Sequence, residues 1–190
     1  ALEEELGRIG LPEPDAARAR IESWRSGKAR SLRTSAAREA FEAMLPGLVE
    51  AFARAPDPMR AINRFDDIVS RLPSGVNFYR LLEAQPALAQ LLATILSHAP
   101  ALAEQLGRRP ELLDGLISKS AFAPPPPVEQ LAEESRRAER SGEDYQLLLD
   151  RVRRRVNERR FALGVQLVAA SRDPVDVGEG YAAVAGVAIP

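Results

Sequence analysis

The strongest hydrophobic signal in this chain is a pair of leucines four residues apart behind a proline, and it occurs three times. The copies are Pro86-Ala-Leu88-x-x-x-Leu92, Pro100-Ala-Leu102-x-x-x-Leu106 and Pro110-Glu-Leu112-x-x-x-Leu116. Proline at a first helical position loses no internal hydrogen bond, and leucines four apart share one face, so each copy predicts a short helix with one apolar side. Such helices must stack on one another. The spacings between copies, 14 and 10 residues, are unequal, which argues for an irregular helical array over a solenoid of fixed period.

The rest of the chain carries the same message. Ala, Leu, Arg and Glu dominate, β-branched and aromatic residues are sparse, and no Asn-Gly or Asp-Gly hairpin dipeptide occurs. Prolines and small polar residues mark helix starts and stops. The pattern predicts helices over about 14–26, 35–55, 58–71, 75–84, 87–98, 100–107, 110–118, 127–140, 143–170 and 173–188. The fold class is therefore all-α, an irregular array of about ten helices in two lobes.

The run Ala123-Pro-Pro-Pro-Pro127 cannot be helical and predicts a stiff polyproline connector. It divides the chain into a helical lobe at 1–122, a connector at 123–127 and a second helical lobe at 128–190. In the second lobe Glu143 to Ala170 predicts one helix of about 28 residues, roughly 42 Å long. Tyr145, Leu148, Leu149, Val152, Val156, Leu163 and Leu167 form its stripe, with Arg151, Arg153, Arg154 and Arg155 largely off it.

Composition narrows the function classes. Of the 190 residues 45% are apolar, enough for a real core, and 26 basic residues nearly balance 27 acidic ones. No global field draws such a chain to nucleic acid or to an anionic membrane. Cysteine is absent, which excludes disulfides and thiolate chemistry and fits a reducing compartment, so the expected location is cytoplasmic. No apolar run approaches the ~20 residues that cross a bilayer, and Ala1-Leu-Glu-Glu-Glu5 is acidic where a signal peptide is basic. Both ends, Ala1 without an initiator methionine and the apolar Gly186–Pro190, read as cuts within a longer polypeptide.

The inventory of reactive groups is short. His98 is the sole histidine, so no multi-histidine zinc site is possible, and its place at a helix end suits contact with the last carbonyls. Gly178-Glu-Gly180-Tyr-Ala-Ala183 matches a dinucleotide fingerprint in form, but no strand precedes it, and Asp173-Pro-Val-Asp176 reads as a helix cap. The neighbouring carboxylates Asp66-Asp67, Glu133-Glu134 and Glu143-Asp144 diverge by about 100° on a helix and read as solvated faces or caps. From Arg136 to Arg160 nine arginines outweigh five acids. That stretch reads as a solvated, ion-paired face, with contact to an acidic protein or to nucleic acid as alternatives. Trp24 beside Arg25 reads as a core anchor, and Phe78-Tyr79 as the start of a packed helix behind a Ser74 cap. No catalytic, cofactor-binding or metal-ligating residue is assigned.

Several short pieces resemble the middle of the bifunctional glutamine synthetase adenylyltransferase/adenylyl-removing enzymes. They are Ile21-x-x-Trp24-Arg25-Ser26-Gly27, Leu45-Pro46, Arg64-Phe65, Leu72-Pro73-Ser74-Gly75, Leu81-Leu82 with Pro86, Leu102-Ala103 and Arg109-Pro110-Glu-Leu-Leu-Asp114. Arg160-Phe161-x-x-Gly164-Val165-Gln166 and Gly180-Tyr181-Ala182 complete the series, in order, across about residues 15–185. The resemblance implies a helical segment between two nucleotidyltransferase domains, leading into the second. The first removes AMP from a tyrosine of glutamine synthetase and the second adds it from ATP. Magnesium and ATP are implied for that parent enzyme and no cofactor for this segment, because the family's Asp-x-Asp pair has no counterpart here. Implied partners are glutamine synthetase, PII-type regulators and the flanking domains, with no nucleic acid and no membrane. The reading is thus an interdomain scaffold; the alternative is a stand-alone helical adaptor.

Overall fold

The computed structural model describes residues 2–124, 126–127, 129–130, 132–133, 136–137 and 145–169. The helix expected over 173–188, half of that over 127–140, and the fingerprint at Gly178–Ala183 lie outside the described residues. Within them the fold is all-α, with no strand. The helices are α1 (Leu2–Ile9), α2 (Pro14–Arg25), α3 (Ser35–Ala53), α4 (Pro58–Arg71), α5 (Val76–Ala84), α6 (Pro86–His98), α7 (Pro100–Arg108), α8 (Leu113–Ile117) and α9 (Tyr145–Val168). Short 3-10 turns occupy Arg30–Leu32, Pro110–Leu112 and Ser120–Phe122. The chain groups into two compact units, Ala1–Leu113 and Asp114–Pro190.

In the first unit α3 packs chiefly on α5 and α6, and α4 on α6, α7 and α2. All six leucines of the Pro-x-Leu copies are buried, so the apolar side predicted for each short helix does face protein. Pro58, Pro86 and Pro100 open α4, α6 and α7 as predicted. The third copy departs: its first turn is 3-10, and α-helix follows only from Leu113. Pro46 sits inside α3, where it removes one internal bond. The helix persists because Met44, Leu45, Leu48 and Val49 are buried on either side of it.

Helix α1 was not predicted. Its stop is nonetheless written in the sequence: Gly10 adopts φ 96°, its N–H donates to Gly7 O at 3.0 Å, and Leu11 N–H donates to Leu6 O at 3.2 Å. This is a Schellman closure, with Leu6 and Leu11 both buried. Among the described residues no single helix is long and apolar enough to cross a membrane, and the apolar α6 and α7 meet at a bend of 106°.

In the second unit Lys119 closes α8 in the left-handed region at φ 61°. Helix α9 is 24 residues long. Its predicted stripe holds only in part: Leu163 is buried and Leu149, Val152 and Val156 are half-buried, but Leu167 is 46% exposed. The side chains of Tyr145 and Leu148 lie outside the described residues. Phe161 and Val165 are buried as well, on the opposite side of the helix, and so is Gln166, which falls in line with the stripe but is polar. The reason is the Ser120–Phe122 turn, which packs on α9 and whose backbone Gln166 holds. Its Nε2 donates to Ala121 O at 2.8 Å and to Ala123 O at 2.9 Å, just where the proline run begins.

Candidate functional site

Two residues singled out in the sequence, Trp24 and Asp66, meet at the α2–α4 contact. Trp24 is 2% exposed and stands edge-on to Phe41 and Phe65, with ring centroids at 5.9 and 5.4 Å. Its indole N–H needs an acceptor in that setting. Asp66 supplies it: Nε1 donates to Oδ1 at 2.7 Å, while Arg20 Nη1 donates to Oδ2 at 2.8 Å and Nη2 to Asn63 Oδ1 at 3.0 Å. Asp66 is therefore a half-buried carboxylate bonded to two partners, more than the solvated face of the sequence reading. Its neighbour Asp67 is exposed, as the 100° step between adjacent helical residues requires.

A second network lies deeper. Tyr79 is fully buried, its hydroxyl donates to Ser31 Oγ at 2.8 Å, and Ser31 Oγ donates to Val69 O at 2.7 Å. The predicted Ser74 cap is not what starts α5: Gly75 is the N-cap residue and no side chain bonds there. The Tyr79 ring takes the space that a side chain at position 75 would need.

Burial pushes the Tyr79 phenol up to about 12 from its usual 10.0, with the Ser31 hydrogen bond acting in the opposite direction. A raised pKa means the folded state holds this proton more tightly. Its contribution is complete below pH 10.0 and is lost as pH climbs through about 12. Stability over that window should fall about 2 kcal/mol more in the wild type than in Tyr79→Phe. Chemical unfolding across the window measures this; equal slopes would contradict the assignment.

Arginines bind helix ends. Arg64 Nη1 donates to Leu96 O at 2.8 Å, and Arg71 Nη1 donates to Gly107 O. Arg64 thereby takes the role expected of His98, whose side chain is exposed at the same helix end. Arg25 is bidentate on Glu42, with both bonds at 2.7 Å, and that partner holds its guanidinium pKa above the usual value.

The arginine-rich stretch is largely engaged where it is described. Arg136 and Arg137 pair with Glu133, Arg153 with Asp150, and Arg151, Arg155 and Arg160 make further contacts. Glu134, Arg140, Glu143 and Asp144 lie outside the described residues. No group of three or more histidine, aspartate or glutamate side chains that could hold a metal ion occurs among the described residues. The arrangement can hold helices in register.

Comparison with known proteins places the chain. Over 184 residues, 97% of its length, it is 33% identical to the bifunctional glutamine synthetase adenylyltransferase/adenylyl-removing enzyme of Caulobacter vibrioides. It is 32% identical to that of Mesorhizobium japonicum and 35% to that of Xanthobacter autotrophicus, each also over 97% of the chain. The chain is homologous to one segment of this enzyme. It spans only 18–19% of the length of these curated relatives. No protein-family profile matches the chain, and no solved structure matches it. The similarity to the adenylyltransferase/adenylyl-removing enzymes thus rests on whole-length sequence agreement, and the Trp24–Asp66 anchor lies within the aligned stretch.

Proposed function

We propose that this chain is the interdomain helical segment of a cytoplasmic bifunctional glutamine synthetase adenylyltransferase/adenylyl-removing enzyme. In this reading it is a scaffold that leads into the C-terminal transferase domain and carries no catalytic residue. The observation that carries the proposal is agreement over 97% of this chain with under a fifth of enzymes of that name. The use of its polar side chains supports the scaffold role: Asp66, Arg20, Arg64 and Arg71 all join one helix to another.

The longer enzyme would transfer AMP from magnesium ATP to a tyrosine of glutamine synthetase and remove it again. Magnesium-held phosphoryl chemistry needs converging carboxylates. The described residues do not fit that group: Asp66 is already bonded twice, and Asp67 and Asp57 stand apart from it on α4 or cap it. In this reading ATP and magnesium would bind elsewhere in the longer protein. PII-type regulators would act through it as well.

The test is transfer of labelled AMP from ATP to glutamine synthetase, by this chain and by a longer protein extending past Pro190 through the next domain. Transfer by the longer protein alone is the expected result. Transfer by the chain itself would overturn the scaffold reading, and transfer by neither would overturn the assignment to this enzyme.

A further inference from the structure

Between α2 and α3 the chain turns through residues carrying charge of one sign. From Ser23 to Arg38 the sequence holds Arg25, Lys28, Arg30, Arg33 and Arg38, and no aspartate or glutamate. Arg25 is occupied by Glu42. The other four are exposed and have no ion-pair partner among the described residues.

The fold gathers them. The 3-10 turn Arg30–Leu32 buries Ser31 and Leu32, and residues three apart in such a turn eclipse, so Arg30 and Arg33 share its outer edge. Arg38 reaches back from α3: its Nη1 donates to Arg33 O at 2.9 Å and to Leu32 O at 3.3 Å. Its Cδ lies 3.9 Å from the position a Cβ on Gly27 would take, which brings it beside Lys28 in sequence. The turn is also pinned from below by the bonds from Ser31 to Val69 and from Tyr79 to Ser31. A cationic surface fixed in advance loses little freedom on binding.

The surroundings select the partner. Permanent interfaces are built on apolar area, yet the large exposed apolar residues among those described, Leu147 and Leu167, both lie on α9. Single-stranded nucleic acid needs exposed aromatic rings to stack on, and Trp24 is 2% exposed. A formal net charge of −1 offers duplex DNA no long-range attraction. A carboxylate-rich face of a separate folded protein, met through charge and released again, fits what remains.

We infer that the Lys28–Arg38 turn is a docking face for an acidic surface of a separate protein. Resting on the function proposed above, that protein is glutamine synthetase. Glutamine synthetase is passed over the immobilised 190-residue chain, over Lys28→Glu/Arg30→Glu/Arg33→Glu, and over Arg154→Glu on α9. Arg38 is left in place because it holds the turn. Wild-type binding should weaken roughly tenfold between about 50 and about 300 mM salt, and the triple variant should bind at least about tenfold more weakly. Arg154→Glu should bind as the wild type does.

If the triple variant melts early by circular dichroism, the neutral pair Lys28→Gln/Arg33→Gln replaces it and should weaken binding in the same direction. No binding by the wild type, or equal binding by the turn variants, overturns the inference. Tighter capture of a single-stranded oligonucleotide than of glutamine synthetase overturns it in favour of nucleic acid. The two proposals fail separately. AMP transfer by the longer enzyme alongside binding indifferent to the turn removes only the docking face, whereas no transfer at all removes the function it rests on.

Discussion

Replacing Gly75 with alanine should destabilise the first helical unit by about 3 kcal/mol or more, a loss out of proportion to one methyl group. The position is not one that needs glycine for its backbone, since φ is −109° and ψ −13°. It needs the space. A Cβ built there would overlap the Tyr79 ring and come within 2.8 Å of its hydroxyl. The ring has nowhere to go: Phe41 stands edge-on at 5.3 Å, Phe78 lies at 5.8 Å, and the hydroxyl is committed to Ser31. Moving it breaks a buried hydrogen bond, and leaving it in place forces the start of α5 away. Urea unfolding of Gly75→Ala beside Gly47→Ala, where an added Cβ meets nothing within 4 Å, makes the comparison. Gly47→Ala should change stability by less than about 1 kcal/mol. A similarly small loss at Gly75 would mean that the ring has slack the structure does not show.

Trp24→Ala should be nearly as damaging, at about 3–5 kcal/mol, because it removes the largest side chain that joins α2 to the core and leaves a void beside Phe41 and Phe65. Part of the loss is polar. Asp66 would keep Arg20 but lose the indole donor. Trp24→Phe separates the two terms: it restores most of the ring and should leave a deficit of about 1–2 kcal/mol from the missing hydrogen bond. Equal losses in the two variants would assign the whole effect to that bond, and no loss in Trp24→Phe would remove it.

The helices were legible wherever a residue type has one physical meaning. Proline at a first turn fixed the starts of α2, α4, α6 and α7 to within about one residue, and the leucine pairs named the buried faces. Helix α1 escaped because it has no proline to announce it and only the Gly10 closure to end it. The α9 stripe was misjudged at Leu167 because period alone names a face without saying what covers it. Gln166, polar in a stripe of apolar residues, is buried because two backbone carbonyls of a turn some 45 residues away in sequence need its amide.

Side-chain partners were the least legible. Nothing local distinguishes Asp66 from Asp67; only the arrival of Trp24 and Arg20 from α2 does. The Lys28–Arg38 cluster was equally hidden. Its charges are visible in the sequence, but their shared edge depends on the turn that buries Ser31 and Leu32.

The central claim is that this segment supports catalysis carried out elsewhere in a longer enzyme. The most direct measurement places Trp24→Ala in that enzyme and follows both AMP transfer to glutamine synthetase and AMP removal from it. Hydrogen exchange over α2–α4 shows in the same sample whether the segment has loosened. If the segment is a scaffold, both activities fall together as exchange in α2–α4 rises. Full activity in both directions with α2–α4 demonstrably loosened would contradict it.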